Sequence, residues 1–253
     1  MSIAFRPWIV VPVYDHEHAI GNTVARLLPH GAPVLLVDDG SRESCAQVLR
    51  ELAAAHPGRV WLHRLPQNGG KGAAVIAGMR EAASHGASHV LQIDADGQHD
   101  ADDVPRFLAE AQAHPDAVIN GRPLYDESVP MGRLIGRYAT HVWVWINTVS
   151  LDIADSMCGF RVYPLAATIA LLDRERVGLR MDFDVEVIVR LHWSGLEIRN
   201  LPTRVTYPLD GVSHFQLWRD NVRISMMHAR LFFGMLWRSP RLLARRLLPA
   251  VRG

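Results

Sequence analysis

Cysteine and long apolar runs are scarce in this chain, and each absence excludes a class of protein. The two cysteines, Cys45 and Cys158, lie far apart and form no pattern typical of a metal or redox site. They favour a reduced, cytosolic protein. No run of 18 apolar residues is present, so no transmembrane helix is predicted. The apolar stretch at residues 8–11 is interrupted by Pro7 and Pro12, and it predicts a first buried strand instead of a signal peptide.

The chain also lacks charge of one dominant sign, and lysine is almost absent. Its net charge is +1 over 253 residues, which gives no indication of a nucleic-acid partner. Hydrophobic residues make up 49% of the chain, enough for one large α/β domain with or without a tail. The basic residues are 26 arginines and one lysine, Lys71. Genomic base composition explains such a bias, but Lys71 lies in a glycine-rich loop.

Strand and helix patterns alternate along the first half of the chain. Strands are expected at 8–13, 33–37, 60–65, 89–93 and 117–120, and helices at 19–28, 44–56, 72–85 and 102–113. Further helices are expected at 133–149 and 183–193, and a late strand at 197–205. This order predicts a mostly parallel sheet with right-handed crossovers, so the loops after the strands share one edge.

Two carboxylates follow the strand expected at 89–93, in the run Asp94-Ala95-Asp96-Gly97-Gln98. Ligands bind at the carboxyl ends of strands in open α/β sheets. Carboxylate oxygens suit a divalent cation such as Mg²⁺ or Mn²⁺. Such a cation, in contact with a diphosphate, neutralises charge on a leaving group. The plainer alternative is that Asp94 caps a turn and Asp96 is solvated.

Three other turns carry polar residues, and each has a structural alternative. The run Asp38-Asp39-Gly40-Ser41 offers carboxylates to a base or ribose hydroxyl, or it ends a strand and caps the next helix. The loop Asn68-Gly69-Gly70-Lys71-Gly72 is not a Walker loop, but it opens a helix where amides and a cation favour an anion; otherwise it is an ordinary turn. In the segment 152–161, Gly159 permits close approach of a ligand and Arg161 meets a phosphate, or the segment is loop packing.

Three acids, Asp182, Asp184 and Glu186, lie near the start of the helix expected at 183–193. The helix dipole stabilises acids at this position, which explains them without any function. The functional interpretation is that Asp182 or Asp184 acts as a general base towards an acceptor hydroxyl.

The end of the chain differs in composition from the rest. From Arg219 onward it has eight arginines and one aspartate, interspersed with bulky apolar residues. A helix with arginine on one face and apolar residues on the other is able to lie in a membrane interface. The alternative is a helix packed on the parent domain with its arginines solvated. The sequence thus predicts a domain over residues 1–210 and an Arg-rich amphipathic helical tail over 211–253, peripheral at the cytoplasmic face of a membrane.

The chain resembles family 2 glycosyltransferases in four ordered motifs: Val37-Asp38-Asp39-Gly40-Ser41, Asn68-Gly69-Gly70-Lys71-Gly72, Asp94-Ala95-Asp96-Gly97-Gln98 and Ser156-Met157-Cys158-Gly159-Phe160-Arg161. It is most similar to the branch around dolichyl-phosphate mannosyltransferase and the polyprenyl-phosphate sugar transferases, over roughly residues 6–210. Residues 12–17 resemble that family's Pro-x-Tyr-Asn-Glu strand end, with Asp15 for Asn and His16 inserted before Glu17. The resemblance implies a GT-A fold, which is a Rossmann-like, mostly parallel sheet flanked by helices.

The matched positions also imply roles for individual residues. For the nucleotide sugar, the expected residues are Pro12, Tyr14, Glu17, Asp38, Asp39, Lys71, Asp94, Arg122, Arg133 and Arg161. For the metal, they are Asp96, Gln98 and Asp94. Arg122 and Arg133 are matched only by position, facing donor or acceptor phosphates.

The expected activity is therefore a metal-dependent, inverting transfer of a sugar from a UDP- or GDP-linked donor to a lipid-linked or lipid-like acceptor. A polyprenyl phosphate acceptor requires no strong base, whereas a hydroxyl acceptor would use Asp182 or Asp184. No nucleic-acid partner is expected, and the membrane surface is expected to bind the tail.

Two other interpretations stay open at this point. A nucleotidyltransferase shares acidic loops and a similar sheet, but it has a glycine-rich loop with Arg or Lys after the first strand, where this chain has Tyr14-Asp15-His16-Glu17. A non-catalytic nucleotide-binding or membrane scaffold would not require the intact pair of Asp94 and Asp96. A phospho-acceptor receiver domain is much shorter and has no use for that pair.

Overall fold

The computed structural model of the chain describes residues 4–125, 131–206 and 217–247. In chain order its strands and helices are β1 (Pro7–Val13), α1 (Ile20–Leu27), β2 (Val34–Asp38), α2 (Glu43–Ala55), β3 (Val60–Arg64), α3 (Lys71–Ser84), β4 (His89–Gln92), α4 (Val104–Ala113), β5 (Val118–Tyr125), α5 (Met131–Thr148), β6 (Arg161–Pro164), α6 (Leu165–Arg174), α7 (Phe183–Ser194), β7 (Ile198–Val205) and α8 (Leu217–Leu247).

The strands form one seven-stranded sheet in the order β3-β2-β1-β4-β6-β5-β7. All neighbouring pairs are parallel except those of β6, which runs antiparallel to both β4 and β5. The carboxyl ends of β1, β2 and β4 therefore lie on one edge. The prediction of a mixed, mostly parallel α/β sheet with flanking helices is confirmed, and β6 is its antiparallel exception.

Helices cover both faces of the sheet because successive side chains of a buried strand point to opposite faces. On β1, Trp8 and Val10 pack in the cluster that contains α3, α6, α7 and α8. Ile9 and Val11 pack in the second cluster, with α1, α2 and α4. Helix α3 approaches the sheet so closely that a Cβ on Gly78 would lie 2.6 Å from Val10. This packing fixes the start of α3, which carries Lys71.

Two elements were not anticipated, β6 and α6. Strand β6 has four residues and is paired on both sides, so it shows too little periodicity to distinguish it from a loop. The strand expected at 117–120 continues to Tyr125 because it pairs with β7 along its whole length.

Helix α8 has two apolar faces. One packs into the core through Met227, Leu231, Met235 and Leu242. The other, which we call the outer stripe, consists of Trp218, Val222, Met226, Phe233 and Trp237, all exposed and spaced as one side of a helix. None of the described helices, α8 included, combines the length and the apolar composition needed to cross a bilayer.

Several tail arginines bind the protein itself. Arg230 lies 3.3 Å from Glu186, and Arg238 lies 3.4 Å from Glu175. Arg245 donates to the backbone oxygen of Trp193 at 3.0 Å. The inner face of the tail helix therefore packs on the parent domain, with several arginines paired instead of solvated, while the outer stripe stays exposed.

Candidate active site

Lys71 is at the centre of the polar edge of the sheet. It is the first residue of α3, and Gly70 before it has φ +99°, a conformation that glycine adopts without strain. The Lys71 ammonium lies 2.7 Å from Oδ1 of Asp94 and 2.8 Å from Oδ2 of Asp184. Residues from the start of α3, the end of β4 and the first turn of α7 thus meet at one point. The order of elements predicts this for Lys71 and Asp94, but not for Asp184.

Asp184 is fully engaged by the protein. Its Oδ2 pairs with Lys71, and its Oδ1 accepts a hydrogen bond from the side-chain amide of Gln92 at 2.9 Å. Gln92 in turn accepts from the hydroxyl of Tyr163 at 3.1 Å. A carboxylate held in this way is a fixed counter-ion of Lys71.

The charges of this cluster shift the pKa values of its members. Burial alone would lower the pKa of Lys71, but the charges of Asp184 and Asp94 outweigh burial and raise it. Burial would raise the pKa of Asp94, but Lys71 and His99 hold it well below its usual range. The pKa of Asp96 is raised by burial and by the neighbouring charge of Asp94. The cluster therefore has three carboxyl groups against one ammonium, and extra positive charge would stabilise it.

Asp94, Asp96 and Gln98 fit a divalent cation by their chemistry. All three offer hard oxygen donors, and in the described structure Asp96 accepts one hydrogen bond, from the amide of Gln98 at 3.0 Å. Among the described residues, no group of three or more His, Cys, Asp or Glu is arranged to hold a metal. This donor set matches Mg²⁺, which proteins commonly bind with one or two carboxylates and substrate phosphates. Gly159 allows the close packing, since a Cβ there would lie 2.2 Å from Asp94.

Asp39 holds the glycine-rich loop. Its oxygens accept hydrogen bonds from the amides of Gly69 at 2.7 Å and Gly70 at 2.8 Å, and from the side chain of Asn68 at 3.1 Å. Burial raises the pKa of Asp39 although those amide bonds lower it. Asp39 thus fixes the loop beside the expected nucleotide position.

Asp38 has a structural role that differs from the expected one. Its side chain is fully buried, where it accepts from the amide of Ser41 at 2.8 Å and pairs with Arg64 at 3.1 Å. Asp38 therefore ends β2 as a buried ion-pair partner, but it does not cap α2, whose N-cap residue Arg42 has no side-chain cap hydrogen bond. Its assignment to the nucleotide sugar stays a prediction.

The end of β1 places hydrogen-bond acceptors at the same edge of the sheet. Pro12 pairs in register with Val37, next to the Asp38 and Asp39 turn. Glu17 accepts from the hydroxyl of Ser44 at 3.2 Å through Oε1, and its Oε2 is buried without a hydrogen-bond partner. Tyr14 follows β1 directly and is half-buried. The roles of Pro12, Tyr14 and Glu17 towards a nucleoside stay predictions.

Arg161 is the clearest departure from expectation. The side chain is 0% exposed. Its guanidinium donates to the side chain of Asn120, the hydroxyl of Tyr163 and the backbone oxygen of Asp184, at 2.9, 3.1 and 2.9 Å. It also reaches the backbone oxygens of Ser156 and Cys158. Arg161 therefore ties β6 to β5 and α7 and is not available to a phosphate.

The remaining expected residues have different environments. Arg122 is exposed on the last half of β5. The side chain of Arg133 lies outside the described residues. Asp182 is buried, accepts from the amide of Arg180 at 3.2 Å and lies 3.9 Å from Arg230. Asp182 and Asp184 therefore stand in different surroundings despite their spacing of two.

Sequence reasoning missed two supports of the site. Gln92 and Tyr163 orient Asp184 from neighbouring strands. A glutamine inside the apolar run at 89–93 is a recognisable indication, because a buried polar side chain requires a partner. Nothing local identifies Tyr163.

Asp155 fastens the start of α5 behind the site. Arg137 donates to both of its oxygens at 2.6 Å, and the His141 ring lies 3.2 Å away. Burial would raise the pKa of Asp155, but the hydrogen bond from His141 and the charge of Arg137 lower it to about 2. Asp155 is thus ionised at neutral pH.

Comparison with known proteins supports the resemblance seen in the motifs. The model of glycosyl transferase family 2 matches residues 8–169. A polyprenol monophosphomannose synthase of Mycolicibacterium smegmatis is 27% identical over 228 residues, covering 87% of this chain and 84% of that protein. An undecaprenyl-phosphate mannosyltransferase of Micrococcus luteus is 28% identical over 204 residues, covering 76% and 80%.

Solved structures show the same fold. Glucosyl-3-phosphoglycerate synthase of Mycobacterium tuberculosis, in complex with Mn²⁺, UDP-glucose and phosphoglyceric acid, superposes with a TM-score of 0.63 at 12% identity. The superposition covers 92% of this chain and 80% of that chain. S. aureus TarS residues 1–349 with UDP-GlcNAc gives a TM-score of 0.60 at 16% identity, covering 90% and 66%.

Proposed function

Because the chain belongs to glycosyl transferase family 2, we propose that it transfers a sugar from a nucleotide-diphospho-sugar to a polyprenyl phosphate. The polyprenol and undecaprenyl-phosphate relatives support this acceptor class by their names and by coverage of most of their length. The neighbour that contains UDP-glucose and Mn²⁺ supports the donor class and a divalent cation. UDP and GDP both remain candidates for the nucleotide.

The engagement of Asp184 is the observation that carries the choice of acceptor. A hydroxyl acceptor needs a base to take its proton, whereas a phosphate oxygen is already ionised. Both oxygens of Asp184 are used by Lys71 and Gln92, and Asp182 accepts from a backbone amide beside Arg230. Because both oxygens of Asp184 are engaged and Asp182 is buried beside Arg230, a phosphate acceptor, which needs no base, fits this site better than a hydroxyl.

The residues at this edge of the sheet have separate roles in the reaction. Asp39 fixes the glycine-rich loop beside the nucleoside, and Glu17 offers a buried acceptor oxygen to it. A divalent cation held by Asp94, Asp96 and Gln98 would neutralise charge on the departing nucleoside diphosphate. The acceptor phosphate oxygen attacks the anomeric carbon from the face opposite the diphosphate, so the configuration inverts.

The outer stripe supports a position at the membrane surface. Trp218 and Trp237 are 82% and 87% exposed, which is unusual for large aromatic side chains on a water-facing helix. Arg219 and Arg223 follow stripe residues by one position and so flank the stripe, where they would meet anionic head groups. We place the enzyme peripherally at the cytoplasmic face, in keeping with the free thiols of Cys45 and Cys158.

A donor panel tests the proposal. UDP- and GDP-sugars would be incubated with Mn²⁺, Mg²⁺ or EDTA, with and without undecaprenyl phosphate in detergent, and the lipid product would be assayed. Metal-dependent glycosylation of the lipid phosphate from one donor is the expected result. Transfer to the dephosphorylated polyprenol at the same rate would contradict the phosphate acceptor, and absence of any lipid product would contradict the function.

A further inference from the structure

The chain has a single lysine, and the structure uses it inside the site. Lys71 is 18% exposed and its ammonium lies between two carboxylates, from the end of β4 and the first turn of α7. An ammonium on a flexible stem is a compact point charge, unlike the planar guanidinium used everywhere else in this chain. A group of this kind can occupy the place of a metal ion and can also leave it.

Asp94 cannot serve the ammonium and a cation equally well. Its two oxygens lie 2.7 and 2.9 Å from the Lys71 nitrogen, and His99 lies 3.8 Å from Oδ2. Two positive charges on one carboxylate repel each other strongly when partly shielded from water. A divalent cation that binds Asp94 therefore competes with the Lys71 ammonium for the same two oxygens.

Asp184 provides the place to which Lys71 moves. It already contacts the ammonium at 2.8 Å, and its other oxygen is held by Gln92. The backbone of α7 at Asp184 is fixed in turn by the bond from Arg161 to the Asp184 carbonyl.

We propose that Lys71 is an internal counter-ion that occupies Asp94 in the donor-free enzyme and withdraws to Asp184 when the divalent cation binds. This inference rests on the metal dependence in the proposed function. It makes metal binding weak without donor, because the ammonium must first be displaced. A donor diphosphate adds negative charge to the same place, so metal and nucleotide bind with mutual reinforcement.

Direct binding of Mn²⁺ without donor tests the exchange. Binding would be followed by the electron paramagnetic resonance signal of free Mn²⁺, with full-length protein and no nucleotide. Lys71→Met is expected to bind Mn²⁺ about tenfold more tightly than the wild type, because Asp94 is freed. Asp184→Asn is expected to bind Mn²⁺ more weakly, because Lys71 then keeps Asp94 as its single carboxylate partner.

Arg80→Met is the matched control, since it removes a cation from an exposed ion pair with Asp173. Its Mn²⁺ affinity is expected to equal that of the wild type. Lys71→Gln serves as a second variant if Lys71→Met unfolds, and circular dichroism reports the fold of each. Equal or weaker Mn²⁺ binding by folded Lys71 variants overturns the proposal. Failure of the proposed function would appear separately, as absence of lipid product in the donor panel.

Discussion

The carboxylate of Asp39 and the backbone amide of Gly70 are joined by a hydrogen bond of 2.8 Å. The turn after β2 therefore holds the loop that precedes α3, and Lys71 is the first residue of that helix. The same carboxylate also binds the amide of Gly69 at 2.7 Å. An acid that looks like a nucleoside ligand in the sequence is, in the folded chain, first of all a tether for the loop.

Asp39→Asn is expected to raise the KM for the donor about tenfold with a smaller change in kcat. An amide side chain offers one acceptor oxygen instead of two, so one loop amide loses its partner, at about 1–3 kcal/mol. Steady-state kinetics with varied donor would measure this. Asp103→Asn, which changes an ion pair with Arg106 at the start of α4, is the control. An unchanged donor KM would contradict the tether.

Asp96→Asn is expected to reduce transfer about a hundredfold or more while the fold is kept, because it removes charge from the proposed cation site. EDTA should have the same effect on the wild type, and added Mn²⁺ or Mg²⁺ should reverse it. Asp102→Asn is a suitable control, as its side chain is 83% exposed on the same segment. Full turnover by Asp96→Asn would remove the metal site from the mechanism.

Arg161→Met is expected to destabilise the fold by about 3–5 kcal/mol, because it leaves the buried polar groups around the guanidinium without their donor. Urea unfolding would measure the loss. Arg80→Met, from an exposed ion pair, should cost less than about 1 kcal/mol. A stable Arg161→Met protein with only a raised substrate KM would instead restore the phosphate role for Arg161.

Because of Asp155, we expect the free energy of unfolding to depend on pH in the acid range. Its folded pKa of about 2 lies below the ordinary value of 3.8, so its contribution is complete above pH 4 and is lost as the pH falls towards 2. The shift corresponds to about 2 kcal/mol. Wild type and Asp155→Asn should therefore differ at pH 7 and converge near pH 2 in urea unfolding. A difference that stays constant with pH would contradict the ion pair with Arg137.

Replacement of Phe233 and Trp237 by Ser is expected to weaken binding to vesicles that contain phosphatidylglycerol by about tenfold or more, since two large apolar side chains leave the lipid. Cosedimentation would measure it. Trp61→Ser, at an exposed tryptophan on β3 away from α8, should bind as the wild type does. Equal binding of the double variant would show that the outer stripe does not meet lipid.

The strands of the first half could be predicted because each is a short buried apolar run that ends in a turn. Parallel pairing then places the ends of β1, β2 and β4 on one edge, so the neighbourhood of Asp39, Lys71 and Asp94 follows from the order of elements. Strand β6 could not be recognised, because its four residues are defined by pairing with β4 and β5. The burial of Arg161, the first residue of β6, could not be recognised for the same reason.

The sequence by itself determined the α/β class, the family motifs and the set of acids at the sheet edge, since apolar periodicity and turn residues are local properties. Only the tertiary structure decided what each polar group faces. Asp184 became a counter-ion of Lys71, Arg161 a buried tie and Asp38 an ion-pair partner of Arg64, because their partners are distant in the chain. The sequence does not distinguish a buried carboxylate or guanidinium from an exposed one. Once such a group is buried, its function depends on the few groups within hydrogen-bond distance.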